Sequence, residues 1–386
     1  MKNNFVVIFL MFAFLVLSCK KQEKILTMLT DDIFMLDVAT LFQAKNSDFK
    51  VQVTLIEKNK VGIFSGTKKN ETARYDLIAG EYFPYEPLSS SRFSKIELDD
   101  NQNFYPFEKD FHQKTKEIGV IYSYDFPVIV GIKGKDELPD FISLDDFQKK
   151  ALEDSHAENG EEEFVFVPQM TGFPEIEFYF MGQDLYSIAD GKNVFSISGI
   201  NKQFQRYHFF NQAIAEDSQI HRYMRKNEKV DSDFYIHNGI LRYDFRYFSE
   251  AKTLSEEKYK IHFISDNSTL SLKQNVIALN KLSFSKKEAM IFVNFLLSSE
   301  IQEYLYKEST SLNQALAYKN IHFPVVSGIM SDVTTDNYIN DLKYSNLGDE
   351  KQLQKFMNIY HTTMDLIAKD RLKKEDFADF INKQID

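Results

Sequence analysis

Arg242, Asp244 and Arg246 alternate with Tyr243, Phe245 and Tyr247, so in an extended segment the three charges share one face. Two guanidinium groups flanking a carboxylate could grip an anionic ligand through paired hydrogen bonds, which makes Arg242 a candidate ligand contact. The competing reading is a solvated stripe whose charges pair with one another. Phe173, Pro174 and Tyr179 gather after Gly172 and read as core. Residues able to do covalent or metal chemistry are sparser. The eight histidines (His112, His156, His208, His221, His237, His262, His322 and His361) include no pair at the i, i+4 spacing of a helical metal site, and none lies near a Gly-x-Ser-x-Gly turn. There is no phosphate-cradling Walker loop, no dinucleotide fingerprint and no His-rich loop of a zinc carrier. The chemistry on offer is binding, with no cofactor and no catalytic residue.

Cys19 is the only cysteine, so the chain can form no internal disulfide and has no Cys-based metal site. Its position is informative. Lys2 precedes an apolar run from Phe5 to Leu17, which stops at Ser18-Cys19. At 1.5 Å per residue that run makes about 20 Å of helix, short of the roughly 30 Å hydrocarbon core, so a signal peptide over residues 1–18 is favoured over a membrane span. Val16-Leu17-Ser18-Cys19 resembles the bacterial lipobox, in which the Cys is acylated and becomes the new N-terminus. An ordinary secretory signal with an incidental Cys is the alternative. Residues 19–24 then read as lipid anchor and tether, carried by the polar stretch Lys20-Lys21-Gln22-Glu23-Lys24.

The elements that must position any site form a strand-and-helix alternation. The 386 residues, 43% hydrophobic with 36 Phe and 20 Tyr, are enough for two packed domains and rule out wholesale disorder. A net charge of −11 with interleaved Lys and Arg argues against a nucleic-acid partner. Ile25–Leu29 is an apolar strand and Ile33–Lys45 an amphipathic helix; Phe49–Ile56 alternates as a strand, and Tyr75–Gly80 is a short strand ending in a Gly turn. Pro127 divides the apolar run Ile118–Gly131 into two extended pieces that meet at an edge or hinge. Ser143 is a natural N-cap for a helix to about Glu153, His156–Glu163 is an acidic loop, and Phe164–Val167 is a strand. Ser285, with Glu288 as the second half of a capping box, starts a single amphipathic helix over Lys286–Lys307. Further helices span about Lys351–Ala368 and Lys374–Ile385. The pattern is that of an α/β protein.

Several of these stretches resemble the extracellular solute-binding proteins of bacterial ABC importers, in the class that includes sugar binders. The segment from Ser285 to Leu305 is similar to that family's pattern of a Ser or Lys start, Glu-Ala, an apolar pair, Phe-Leu, Ser, an acid and Gln. Ile25–Asp37 is similar to its first βα unit, Tyr75–Gly80 to a strand and turn of the first lobe, and Ile118–Val130 to its crossover. Pro139–Phe147 resembles its helix entry, and His237-Asn238-Gly239-Ile240 a short strand with a Gly turn. The resemblance implies a two-lobed periplasmic-binding-protein-like fold whose lobes close on a ligand by hinge motion. Lobe one would take residues 25–125 and 268–330 and lobe two 126–267, with C-terminal helices over 331–386 packing on either. It also implies a small polar solute and ABC permease subunits as partners, in a lipoprotein facing the periplasm or exterior. The alternative is a surface lipoprotein that keeps the fold as an adhesin or interaction module.

Matched to the family pattern, the ligand-binding candidates are Thr30 and Asp31 after the first strand, Gly80, Glu81 and Tyr82 after the strand beginning at Tyr75, and Tyr122, Tyr124 and Asp125 in the crossover. Each also has a structural reading: Asp31 as a helix cap, Tyr82 as a core aromatic. Sugar binders commonly stack the pyranose on Trp, and this chain has none, so Tyr or Phe would have to take that role.

Overall fold

The computed structural model describes residues 23–57, 63–66, 73–82, 90–98, 103–135, 138–155, 236–239, 241–265, 273–316 and 321–342, with a few single positions elsewhere. Cys19 and the apolar run before it lie outside the described residues, as do the loop and strand over 156–167, the Phe173 group and the two helices read over 351–385. In chain order the first half holds β1 (Lys24–Thr30), α1 (Phe34–Lys45), β2 (Phe49–Leu55), α2 (Ile63–Gly66), β3 (Leu77–Tyr82), β4 (Phe93–Ser94), α3 (Pro106–Lys114), β5 (Gly119–Asp125), β6 (Pro127–Ile132), β7 (Phe141–Ile142) and α4 (Leu144–Ser155). The second half adds β8 (Tyr243–Tyr247), α5 (Phe248–Ala251), β9 (Tyr259–Ile264), β10 (Lys273–Asn280), α6 (Lys286–Leu296), α7 (Ser299–Leu316) and α8 (Val333–Asn340).

These strands make two sheets. In the first, β2, β1 and β3 run parallel, β10 lies antiparallel to β3, and both β4 and β5 pair with the far side of β10. The second has the order β7-β9-β6-β8. Only Phe126 separates β5 from β6, so the chain leaves one sheet and enters the other within a single residue. Phe126 is fully buried, and its ring packs on Phe248, Phe263, Phe323 and Tyr338. This aromatic knot surrounds the crossover with contacts from α5, β9, α8 and the segment at Phe323.

Three local expectations are corrected. The helix expected over Lys286–Lys307 is two helices, α6 and α7. The break falls where Ser298 bonds its hydroxyl back to the Phe295 carbonyl (2.7 Å) while its own carbonyl accepts from Gln302 N (2.9 Å), ending one helix and starting the next. Ser285 stands at the N-cap of α6 but its side chain makes no cap bond, and Glu288 pairs with Lys24 at 3.8 Å instead of closing a capping box. Residues 236–239 form a short helical turn ending in Gly239 at φ 68°, where a strand was expected. Ser143 caps α4, its hydroxyl accepting from Asp146 N at 3.0 Å.

Candidate functional site

β1 ends at Thr30, and the next three residues turn the chain into α1. Thr30 is buried, its hydroxyl accepting from the Asp32 amide at 3.0 Å. Asp32 in turn accepts from Phe34 N at 3.1 Å, capping the helix start that the sequence assigned to Asp31. The carboxylate therefore sits at the positive end of α1, where backbone N–H groups favour negative charge. Its other oxygen accepts from the Tyr122 hydroxyl at 2.9 Å, and His322 Nε2 stands 3.5 Å away. Burial pushes the Asp32 carboxyl up, but His322, the Tyr122 hydroxyl and the Phe34 amide outweigh it and hold the group below the usual carboxylate range.

Asp31 turns the other way and accepts from Glu81 N at 3.2 Å, crossing to β3. The crossing explains Gly80, which lies inside β3 and not in a turn after it: a Cβ there would stand 2.1 Å from Asp31 Oδ1. Only a residue without a side chain lets the carboxylate lie against the strand. Substituting Gly80→Ala is expected to swing Asp31 out of place and break its bond to the Glu81 amide, lowering stability by about 1.5–3 kcal/mol. Urea unfolding checks this; a wild-type midpoint would show that the close approach at Gly80 is not needed.

A cavity of about 310 Å³ opens over these residues. It is lined by Asp31, Asp32 and Ile33 after β1, Leu55 and Ile56 at the end of β2, Tyr124 and Asp125 at the end of β5, Lys273 and Asn275 at the start of β10, and Ile321 with His322. Topology explains the convergence. The parallel strands β1 and β2 end at this edge, and antiparallel β10 begins there, opposite the end of β5 through the Lys273↔Asp125 and Gln274↔Tyr124 pairs. A further bridge, Tyr124↔Phe323, draws residues 321–322 to the same edge. Ligands of open α/β sheets bind at strand ends of this kind.

Asp125 closes the wall toward the crossover. It accepts from Phe126 N at 2.9 Å, from Ser249 N at 3.3 Å and from the Ser249 hydroxyl, so it ties the last residue of β5 to α5 beside the second sheet. Burial raises its pKa to about 7, against the opposing pull of those hydrogen bonds and of Lys273. The wall as a whole is rich in hydrogen-bond acceptors, with three carboxylates, and holds Lys273, Asn275 and His322 as well. His322 is 4% exposed, and its Nδ1 has no hydrogen-bond partner among the described residues.

The structure thus gathers three sequence candidates, Asp31, Tyr124 and Asp125, into one cavity wall and places three more, Thr30, Gly80 and Tyr122, directly behind it. Two lie elsewhere. Tyr82 is a core aromatic, 4% exposed, packed edge-on against Phe64 and Phe111. Arg242 stands ahead of β8, its carbonyl accepting from Ile132 N at 3.2 Å. The stripe to which it belongs is neither a solvated face nor an open clamp: Arg246 Nε donates to Asp244 Oδ2 at 2.5 Å with both side chains buried. Asp32, Lys273, Asn275 and His322 were missed. Asp32 could have been found from its neighbour Asp31, but His322 carries no local signal because the bridge at Phe323 brings it in from a distant segment.

The two sheets joined by a one-residue crossover define the two-lobed, periplasmic-binding-protein-like α/β fold. Solved structures agree. The extracellular solute-binding protein from Staphylococcus aureus in complex with maltose superposes with a TM-score of 0.63 at 12% identity over 95% of this chain and 98% of that one. The ABC substrate-binding protein Lmo0181 from Listeria monocytogenes in complex with cycloalternan gives 0.63 at 12% identity, covering 94% and 98%. Thiaminase I from Bacillus thiaminolyticus gives 0.56 at 12% identity, covering 94% and 100%. No family model matches the chain, and no curated protein matches it in sequence. Among the described residues no helix is long and apolar enough to cross a membrane, and no group of three or more His, Cys, Asp or Glu side chains could hold a metal.

Proposed function

We propose that this chain is an extracytoplasmic solute-binding protein, lipid-anchored through Cys19, that captures a small polar solute between two lobes and passes it to an ABC permease. The observation that carries this is the cavity at the ends of β1, β2 and β5, where carboxylates, an amide, an amine and an imidazole, all within lobe one, converge beside Ile33, Leu55, Ile56 and Ile321, and over which lobe two would close. Acceptor-rich walls suit a solute with many hydrogen-bond donors, either a polyol or an amine. The maltose and cycloalternan complexes of the S. aureus and L. monocytogenes proteins support the carbohydrate half of that class.

In this reading the first sheet is the core of lobe one, residues 25–125 and 268–330, and the second that of lobe two, residues 126–267, with Phe126 as the hinge and the C-terminal residues 331–386 packing on them. The site does no chemistry. Since thiaminase I has the same fold, that last statement rests on the site and not on the fold.

The test is a thermal-shift screen of residues 20–386 against sugars, oligosaccharides, amino acids, peptides, phosphates and polyamines. A ligand at a hundred times its dissociation constant is expected to add about 2.7 kcal/mol of stability. A hit recovered chemically unchanged supports binding without turnover; a hit that is consumed makes the chain an enzyme; silence across the panel favours the adhesin or interaction-module reading.

A further inference from the structure

We infer that the loop joining β10 to α6 is a membrane-contacting face that seats the protein on an anionic bilayer beside its lipid anchor. The inference rests on the anchoring reading of Cys19 and extends it. Phe284 in this loop is 105% exposed and Leu282 60% exposed, and Ile25, on the adjoining end of β1, is 47% exposed. The exposure does not come from a slack loop. Leu282 N donates to Asn280 Oδ1 at 3.0 Å, Ser285 N to the Ser283 hydroxyl at 3.0 Å, and that hydroxyl donates to Asp76 Oδ1 at 2.6 Å. Asp76 is itself tied to β1 through Thr27 N at 2.9 Å, and the Asn280 amide donates to the Tyr75 carbonyl at 2.8 Å. The loop is stapled on both sides and holds its two large apolar side chains out in water, where they lose the stabilisation that burial would bring.

Charge and chain connectivity select the occupant. Lys281, Lys286 and Lys287 flank the two apolar residues and are exposed, a local basic rim on a chain of net charge −11. Lys281 Nζ reaches the Ser90 carbonyl at 2.9 Å, and Lys24 pairs with Glu288 and lies over the Phe49 ring. Glu288 pairs with Lys24, and Asp76 is held within the staple. Exposed Phe and Leu rimmed by Lys is the composition that partitions into the headgroup region of anionic lipid.

The anchor ends at the same place. Ser285 Oγ lies 3.5 Å from the Ile25 carbonyl, so the loop touches the first residues of β1. Five residues of chain lead from Cys19 to Lys24, a reach of at most roughly 17 Å. Acyl chains on Cys19 therefore bring the bilayer surface within contact distance of Phe284. β1 then runs away from this face for about 20 Å before reaching the cavity, so the seated protein presents its solute site outward. Transfer to a permease would require it to lift off on its tether.

The chain contains no Trp, so Phe284→Trp creates a single fluorescent reporter. The full-length, natively processed variant is reconstituted into phosphatidylglycerol-containing vesicles with and without brominated acyl chains, with Leu282→Trp as a second reporter. We expect a blue-shifted emission that loses most of its intensity in brominated vesicles, and a weaker effect when Lys286 and Lys287 are changed to Glu. Protein that floats with the vesicles but keeps a water-like, unquenched emission overturns the seat while leaving the anchor standing. Protein that does not float overturns both. A concentration-dependent blue shift of the unlipidated Cys19→Ala form without vesicles assigns the face to a second copy of the chain and also overturns the lipid seat.

Discussion

Replacing Asp32 by Ala is expected to lower the folding stability by about 2–4 kcal/mol, because one carboxylate serves three partners at once. It caps α1 through Phe34 N, accepts from the buried Tyr122 hydroxyl, and stands opposite His322. Loss of the cap alone costs about 1 kcal/mol. Leaving the Tyr122 hydroxyl buried without an acceptor adds roughly 1–3 kcal/mol more. Asp32→Asn keeps an oxygen for the cap and should fall between the wild type and the Ala variant. Urea unfolding reads both. A wild-type midpoint for Asp32→Ala would show that the network adds nothing to the fold, whereas an unchanged stability slope with a lowered midpoint is the outcome expected of a local loss.

The second large effect is a pH dependence centred on Asp125. Its pKa is raised from 3.8 to about 7 by burial, so the folded protein keeps a proton that the unfolded chain has already released. A group with a raised folded pKa stabilises fully below its unfolded value and loses that contribution as pH rises through the folded value. The window is therefore about pH 4 to 7, with a loss of at most roughly 4 kcal/mol across it. Asp32, whose pKa is lowered, works in the opposite sense and is present in both proteins compared. Asp125→Asn has no proton to lose, so the stability difference between variant and wild type should shift in favour of the variant from pH 4 to pH 8. Denaturation midpoints at several pH values check this; a pH-independent difference would sink it. Because Asp125 also ties β5 to Ser249 in α5, its ionisation is expected to alter the crossover as well as the cavity.

Part of this site can be read directly from the chain. Asp31, Tyr124 and Asp125 sit at the ends of apolar runs, and the end of a strand in an α/β protein is where a ligand is expected. Thr30, Gly80 and Tyr122 were found by the same reasoning, yet their work is structural: a hydroxyl holding the Asp32 amide, a missing Cβ that admits Asp31, a phenol bonded to Asp32. Tyr82 shares their neighbourhood in sequence but packs into the core against Phe64 and Phe111. The Arg246–Asp244 pair shows the limit of pattern reading most clearly. Period-two spacing put both on one face, but the spacing is the same whether that face meets water or protein, and here it is buried.

Taken alone, the sequence marked the segments that became β1, α1, β2, β3, the β5–β6 crossover and α4, and it shows that no internal disulfide can form. Those properties follow from local periodicity, composition and capping, all decided within a few residues. Tertiary structure alone decided that β10 inserts between β3 and β5 and that Lys273, Asn275 and His322 meet Asp31, Asp32 and Asp125 around one cavity. Pairings between residues hundreds of positions apart leave no periodic mark on the chain, because they are selected by the burial and hydrogen bonding of the assembled sheet and not by any one segment.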